Sequence, residues 1–330
     1  MDGQLASLKE QILSLVGNDL VEIETALEAN LTPHLDLVRN TARHILFAGG
    51  KRLRPLLLLA CARICGSDAL QNKRFSTIFE YLHAATLLHD DLVDGAELRR
   101  GKPAAQHIFG NEIAILTGDF LLARSLSIAA DTQHTEVIHV IADITEQMSQ
   151  GEIQQLQNRG RIDLSEAEYR EVIRRKTAVL MEGACHVGAL VARATPAETK
   201  ALKNYGYRIG MAFQMADDLL DYTADTAGLG KTVGADLREG KVTLPVIVAL
   251  NAASARDRHR MVDIIQSRTI TDADFNAFRS LLEKYGGIAH TREQATEYVS
   301  KAQASLEGFA PSRDRTLLEL ISAYALQRKA

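Results

Sequence analysis

The chain has 330 residues, 46% hydrophobic and 24% charged, enough apolar material for a sizeable buried core. With 38 basic against 42 acidic residues, its net charge of −4 excludes general nucleic-acid binding, which draws most of its affinity from a basic face. Three cysteines, two in "CARIC" (Cys61, Cys65) and one at Cys185, fit free thiols in a reducing compartment and lack the neighbours for a zinc site.

The opening "MDGQLASLKE" has neither the basic start nor the apolar run of a signal peptide, and no uninterrupted apolar stretch reaches the ~18 residues of a membrane span. The expectation is a cytoplasmic protein. Apolar residues recur at three- and four-residue spacing, as in the stripe Tyr81, Ala85, Leu88, Leu92 and again from Ile288 through Ala295, Val299 and Ala302 to Leu306. Pro33, Pro55, Pro103, Pro196, Pro245 and Pro311 stand far apart, each readable as a helix start or a connection. Strand-like alternation is missing apart from short ambiguous runs such as "VTLPVIVAL". The pattern predicts an all-α fold of about ten or more helices, in one domain spanning residues 1–330.

In chain order, the first chemically loaded stretch is "GGKRLRP" (residues 49–55): a glycine helix stop, a cationic hinge, then a proline opening a new helix. Lys51, Arg52 and Arg54 thereby fall near a helix N-terminus, where amides and dipole favour an anion. Next comes "LLHDDLVDGAELRRGK" (residues 87–102). On a helix, Asp90 and Asp94 project from one face while Asp91 is rotated off it. Carboxylates packed beside Leu87, Leu88, Leu92 and Val93 are costly unless a cation compensates. Arg99 and Arg100 follow at once. The pattern repeats in "QMADDLLDYTAD", where Asp217, Asp218 and Asp221 end another apolar run. Paired carboxylate clusters without histidine or cysteine suit Mg²⁺, which combines a few carboxylates with substrate phosphates. Acid on one side and arginine and lysine on the other describe a site for a diphosphate. The Gly-rich segment 223–241 reads as a mobile loop; its "GLGKT" lacks the leading glycine and the preceding strand of a P-loop.

These motifs, "GGKRLRP", "DDLVDGAELRRGK", "FQMADDLLD" and "GKTVGADLREGKVTLP", occur in an order that resembles the trans-polyprenyl diphosphate synthase family over nearly the whole chain. The resemblance implies an isoprenoid-synthase-type all-α helical bundle around a deep central cavity, a homodimer, and two to three Mg²⁺ ions. By matching position, Asp90, Asp94 and Asp217 would ligate Mg²⁺, with Asp218 and Asp221 in support. Arg99, Lys176, Thr177, Gln214, Lys231 and Lys241 match contacts to the allylic diphosphate or its leaving group, Lys176 and Lys231 among the catalytic positions. Lys51, Arg54, His83 and Arg100 match those holding isopentenyl diphosphate; His89 reads as structural.

The implied reaction is ionisation of the allylic C–O bond, attack by the double bond of isopentenyl diphosphate, and loss of a proton. Small residues at Ala85 and Thr86, just before the first aspartates, lack the bulky aromatic floor of one short-chain type. A long-chain all-trans product for a quinone side chain follows, octaprenyl favoured within hexaprenyl to decaprenyl; a geranylgeranyl or farnesyl product is the alternative. Two rivals fit less well. A terpene cyclase would need a different second metal motif where this chain has Tyr222 and Thr226, and a noncatalytic partner subunit would have lost ligands that this chain retains.

Overall fold

The computed structural model describes residues 2–223, 234–267 and 269–327. Among them the only strands are a two-residue pair, so the all-α expectation holds. In chain order the elements are α1 (Asp2–Asn30), α2 (Asp36–Leu46), α3 (Leu53–Ile64), α4 (Gln71–Val93), β1 (Leu98–Arg99), β2 (Lys102–Pro103), α5 (Ala105–Phe109) and α6 (Asn111–Asp131). Then come α7 (Thr135–Gln157), α8 (Glu166–Ile173), a π-helical turn (Arg174–Ala178), α9 (Val179–Val191), α10 (Pro196–Thr223), α11 (Ala235–Arg238), α12 (Leu244–Ala252), α13 (Ala255–Ile265), α14 (Asp272–Lys284), α15 (Gly287–Ala304) and α16 (Arg313–Leu326). Pro55, Pro196 and Pro245 fall in the first turns of α3, α10 and α12, where a missing N–H costs nothing. The ambiguous "VTLPVIVAL" becomes α12, entered from an extended Thr243.

The chain forms two compact units, each assembled from three segments. Unit 1 comprises Met1–Thr145, Leu180–Gly206 and Ser305–Ile321; unit 2 comprises Glu146–Val179, Tyr207–Ala304 and Ser322–Ala330.

In unit 1, α3 is buried almost all round: Leu56 to Ala62 are each at most 3% exposed, which marks a central helix rather than a surface one. Each such leucine contributes about 1.5–3 kcal/mol through burial. α4 packs most extensively on α6 and also on α1, α2 and α3. Tyr81 and Tyr205 are fully buried, and each hydroxyl finds a carbonyl, Leu27 at 2.6 Å and Leu318 at 2.7 Å. At Gly183 of α9 a Cβ would stand 2.1 Å from Ile144 Cδ1 and 3.2 Å from Phe79 Cε1, so a side chain there would have to displace the end of Ile144. α6 is long and apolar enough, by length and composition, to cross a membrane, although part of that stretch is buried. Its other side exposes Ile115, Leu116 and Leu126.

Unit 2 is built on α12, which packs on α8, α14 and α15. Its core includes Met211, Met215, Tyr222, Leu244, Ile247, Phe275 and Phe278. Gly287 lets α15 meet α12: a Cβ there would lie 2.1 Å from the Pro245 carbonyl oxygen.

Candidate active site

The first aspartates end α4. Asp94 caps the helix, Gly95 takes φ +63°, and the amides of Gly95 and Ala96 bond the carbonyls of Leu92 (3.3 Å) and Asp91 (2.8 Å), the double bond pattern of a Schellman stop. The last turn holds Asp90, Asp91 and no basic residue, with Asp94 at the cap, so the carboxylates stand where backbone carbonyls are already negative. Their environments differ as the helical spacing requires. Asp91 is 1% exposed, whereas Asp90 is half-buried and Asp94 exposed. The buried one binds Arg99, whose Nε lies 2.9 and 3.1 Å from its two oxygens and whose Nη2 also donates to it. Gln106 Nε2 braces the same turn through the carbonyls of Asp91 (3.1 Å) and Ala96 (2.7 Å). Helical spacing turned Asp91 off the face of Asp90 and Asp94, but neither its pairing with Arg99 nor the brace from Gln106 has a signal in the sequence.

β1 and β2 form a hairpin, Leu98 opposite Pro103 and Arg99 opposite Lys102. Its two turn residues, Arg100 (φ +52°) and Gly101 (φ +74°), are both left-handed, the signature of a type I′ turn. The turn aims Arg100 at the "GGKRLRP" segment. A Cβ on Gly50 would lie 3.2 Å from Arg100 Nη1 and 3.3 Å from Arg52 Nη1, so two guanidinium groups come close to the backbone here. Arg52 itself is 4% exposed with φ +49°, and it bonds Glu24 (2.6 Å), Glu80 (2.8 Å) and the Leu46 carbonyl (2.6 Å). It is thus a strut under α3 rather than a ligand at the helix start. Lys51 is exposed and Arg54 half-buried at that same start.

His83 lies two turns before Asp90. Burial, then the positive charges of Arg54, Arg100, Arg99 and Arg52, hold its pKa well below the ordinary imidazole value, so it is neutral near pH 7. Arg100 is pulled down in turn by burial and by Arg52 and Arg99, outweighing Glu80. Several guanidinium groups close together make a positive potential that suits an anion. His89 faces elsewhere, 3.2 Å from the Ile115 carbonyl oxygen, and its ring fills the space above Gly118 of α6, as expected of a structural histidine.

Unit 2 carries the second set. Lys176 and Thr177 sit on the π-helical turn, an irregularity frequent at functional positions. Gly151 of α7 packs against this turn, where a Cβ would stand 2.8 Å from Arg175 Cβ and 3.0 Å from the Lys176 nitrogen. Lys176 Nζ pairs with Glu152 at 2.7 Å. On α10, Asp217 is exposed, Asp218 is 4% exposed, and Asp221 is half-buried, again with no basic residue in the last turn. Asp218 accepts from Tyr169 Oη at 2.6 Å and from Gln214 Nε2 at 2.7 Å, and Gln214 Oε1 accepts from Thr177 Oγ1 at 2.8 Å. Burial pushes the Asp218 carboxyl up to about 7 despite those hydrogen bonds, with Asp217 and Asp221 adding to the rise. Asp221 accepts the amides of Ala235 and Asp236, each at 3.0 Å, at the start of α11. Asp236, buried near Asp218 and Asp221, is raised well above the carboxylate range by burial and those charges, with Lys241 opposing. Lys241 also pairs with Glu239 at 2.5 Å. Lys231, and most of the segment expected to be a mobile loop, lie outside the described residues.

Each cluster, all-oxygen and at the negative end of its own helix, suits a hard divalent cation. Among the described residues no three His, Cys, Asp or Glu side chains converge closely enough to hold an ion alone. A donor set of that kind would be completed by phosphate and water.

A helical fold with two helix-ending aspartate clusters and arginines around a neutral histidine is consistent with the class that the comparisons show, the prenyltransferases. Residues 35–282 match the polyprenyl synthetase family model. The chain is similar to the octaprenyl diphosphate synthase of Haemophilus influenzae, 34% identical over 319 residues covering 97% of each. It is similar also to a short chain isoprenyl diphosphate synthase of Methanothermobacter thermautotrophicus, 33% identical over 91% of this chain and 93% of that one. A solved polyprenyl synthase from Caulobacter crescentus, complexed with calcium and isoprenyl diphosphate, superposes with a TM-score of 0.91 at 37% identity, over 97% of this chain and 98% of that one. The chain belongs to the polyprenyl synthetase family and is a prenyltransferase.

Proposed function

We propose that the enzyme condenses isopentenyl diphosphate with an allylic diphosphate such as farnesyl diphosphate, in a Mg²⁺-dependent ionisation that lengthens the allylic chain by one isoprene unit per cycle. The observation that carries the reading is the gathering of Arg52, Arg54, Arg99 and Arg100 near neutral His83, two turns from Asp90, with the Arg100 and Arg52 guanidinium groups both beside Gly50. Lys51, Arg54, His83 and Arg100 bind isopentenyl diphosphate; the neutral imidazole donates a hydrogen bond without adding a proton to lose. Asp90, Asp94 and Asp217 hold Mg²⁺, with Asp218 and Asp221 in support, and Lys176, Thr177, Gln214, Lys231, Lys241 and Arg99 serve the allylic diphosphate. When bound, Mg²⁺ supplies neutralisation of the charge that builds on the departing diphosphate. Lys176 and Arg99 stabilise the same charge, each held ready by a carboxylate, Glu152 and Asp91 respectively.

Ala85 is small and 3% exposed, and Thr86 turns its hydroxyl back to the His83 carbonyl at 2.9 Å, so neither forms a floor near Asp90. This supports a long product, octaprenyl favoured within hexaprenyl to decaprenyl, for a quinone side chain. A shorter product is the second reading. Phe79, fully buried against Ile144 and Gly183, would close a tunnel running along α4 at ~16 Å before Asp90. The apolar outer side of α6 supports a homodimer through that face, and three free thiols support a reducing cytoplasm. Incorporation of radiolabelled isopentenyl diphosphate by the purified chain, with mass analysis of products, tests the activity and the length together. Absence of incorporation under Mg²⁺ would refute the first; a ladder ending at geranylgeranyl or shorter would decide for the second reading.

A further inference from the structure

Both oxygens of Asp218 are engaged by donors inside unit 2: Tyr169 Oη from α8 on Oδ2 and Gln214 Nε2, one turn earlier on α10, on Oδ1. The carboxylate sets the orientation of Gln214, because a reversed amide would turn its oxygen against Asp218, and Thr177 of the π-helical turn then donates to the Gln214 oxygen. Tyr169 is 3% exposed and Asp218 4%, so no water competes for these bonds. We propose that Tyr169 is a positioning residue for the second aspartate cluster, anchoring Asp218 so that Asp217 is presented outward; the inference rests on the prenyltransferase reading above.

The geometry gives the anchor its effect. Adjacent residues on a helix project about 100° apart, so a clamp on Asp218 sets the direction of Asp217, which is exposed while its neighbour is buried. Asp221 is clamped separately by the amides of Ala235 and Asp236. The turn is therefore held at two points, one and four residues beyond Asp217. Phenylalanine at 169 would keep the ring in the same core and remove only the hydroxyl. One oxygen of a buried carboxylate would then lack its donor, and the turn would move to find another.

The test is Mn²⁺ binding to the full chain in the presence of inorganic pyrophosphate, followed by electron paramagnetic resonance. Partners one layer behind a ligand change metal affinity about 10- to 100-fold, so Tyr169→Phe should weaken Mn²⁺ by about tenfold or more with near-ultraviolet circular dichroism unchanged. In an Asp218→Asn background the same change should add nothing. In turnover, the Mg²⁺ half-saturation should rise while the KM for isopentenyl diphosphate stays, a split that general loosening of the fold would not give and that serves if Asp218→Asn does not fold. Wild type that binds Mn²⁺ with pyrophosphate, beside a Tyr169→Phe variant that binds equally well, would overturn the proposal alone. Wild type that binds none overturns the reading beneath it and the proposal together.

Discussion

Arg52 offers the sharpest test of how unit 1 builds its anion site. Its side chain is 3% exposed, and its partner Glu80 is 8% exposed at 2.8 Å, so neither charge is well screened. Arg52→Ala removes three hydrogen bonds and leaves Glu80 buried with its main cation gone. Breaking one side of a buried pair costs about 3–5 kcal/mol, and the αL backbone at φ +49° adds little relief because alanine is strained there too. Across a unit of this size that loss lowers Tm by about 6–20 °C. Exchanging both members, as Arg52→Met with Glu80→Leu, should restore much of the loss, since an apolar pair carries no desolvation cost. Differential scanning calorimetry at fixed pH reads the cycle. Because Arg52 lies beside Gly50 and Arg100, the single variant should also raise the KM for isopentenyl diphosphate severalfold. A single variant within about 1 kcal/mol of wild type would refute the view that this pair carries the hinge.

Four further outcomes are expected. Asp90→Ala or Asp217→Ala should lose orders of magnitude in turnover with helical circular dichroism intact; near wild-type rates in either would remove that residue from the metal site. Arg54→Ala should raise the KM for isopentenyl diphosphate with a smaller change for the allylic substrate, and steady-state kinetics showing the reverse would exchange the two sites. Ala85→Phe should shorten the product ladder toward farnesyl or geranylgeranyl, read by mass analysis; an unchanged ladder would place the length control elsewhere. His83 has a folded pKa below its unfolded value of about 6.5, so the unfolded chain takes up the proton first. Stability is full above about pH 6.5 and declines as the pH falls toward the folded value; His83→Gln should flatten that part of a denaturation-versus-pH profile, and an identical slope would show that His83 titrates normally.

The helices were legible because their apolar period survives the whole chain, and the aspartate clusters because acid at the end of an apolar run is locally anomalous. Lys51 and Arg54 were placed correctly beside a helix start by the glycines and proline around them. Arg52, one residue away, was not separable from them: its partners Glu24 and Glu80 stand far off in sequence, and only packing selects which arginine of "KRLR" turns inward. Tyr169 was invisible for the same reason, since nothing in "AEYREV" announces a contact with α10. Nor does any local signal announce the π-helical turn, which side-chain periodicity at three and four residues tends to hide. The role of Asp221 depended on the amides of Ala235 and Asp236, which open the short helix α11 inside a stretch whose sequence suggested only a loop.

The tight hairpin that carries "RRGK" divides labour between two identical neighbours. Arg99, the last strand residue, turns back to Asp91, while Arg100, the first residue of the left-handed turn, leans over Gly50. Which arginine performs which task is decided by position in the turn, not by residue type. One residue inserted between Leu98 and Arg99 would leave every charge in the composition, yet it would put the newcomer in the strand position that reaches Asp91, Arg99 in the turn position over Gly50, and Arg100 where Gly101 now supplies a left-handed residue.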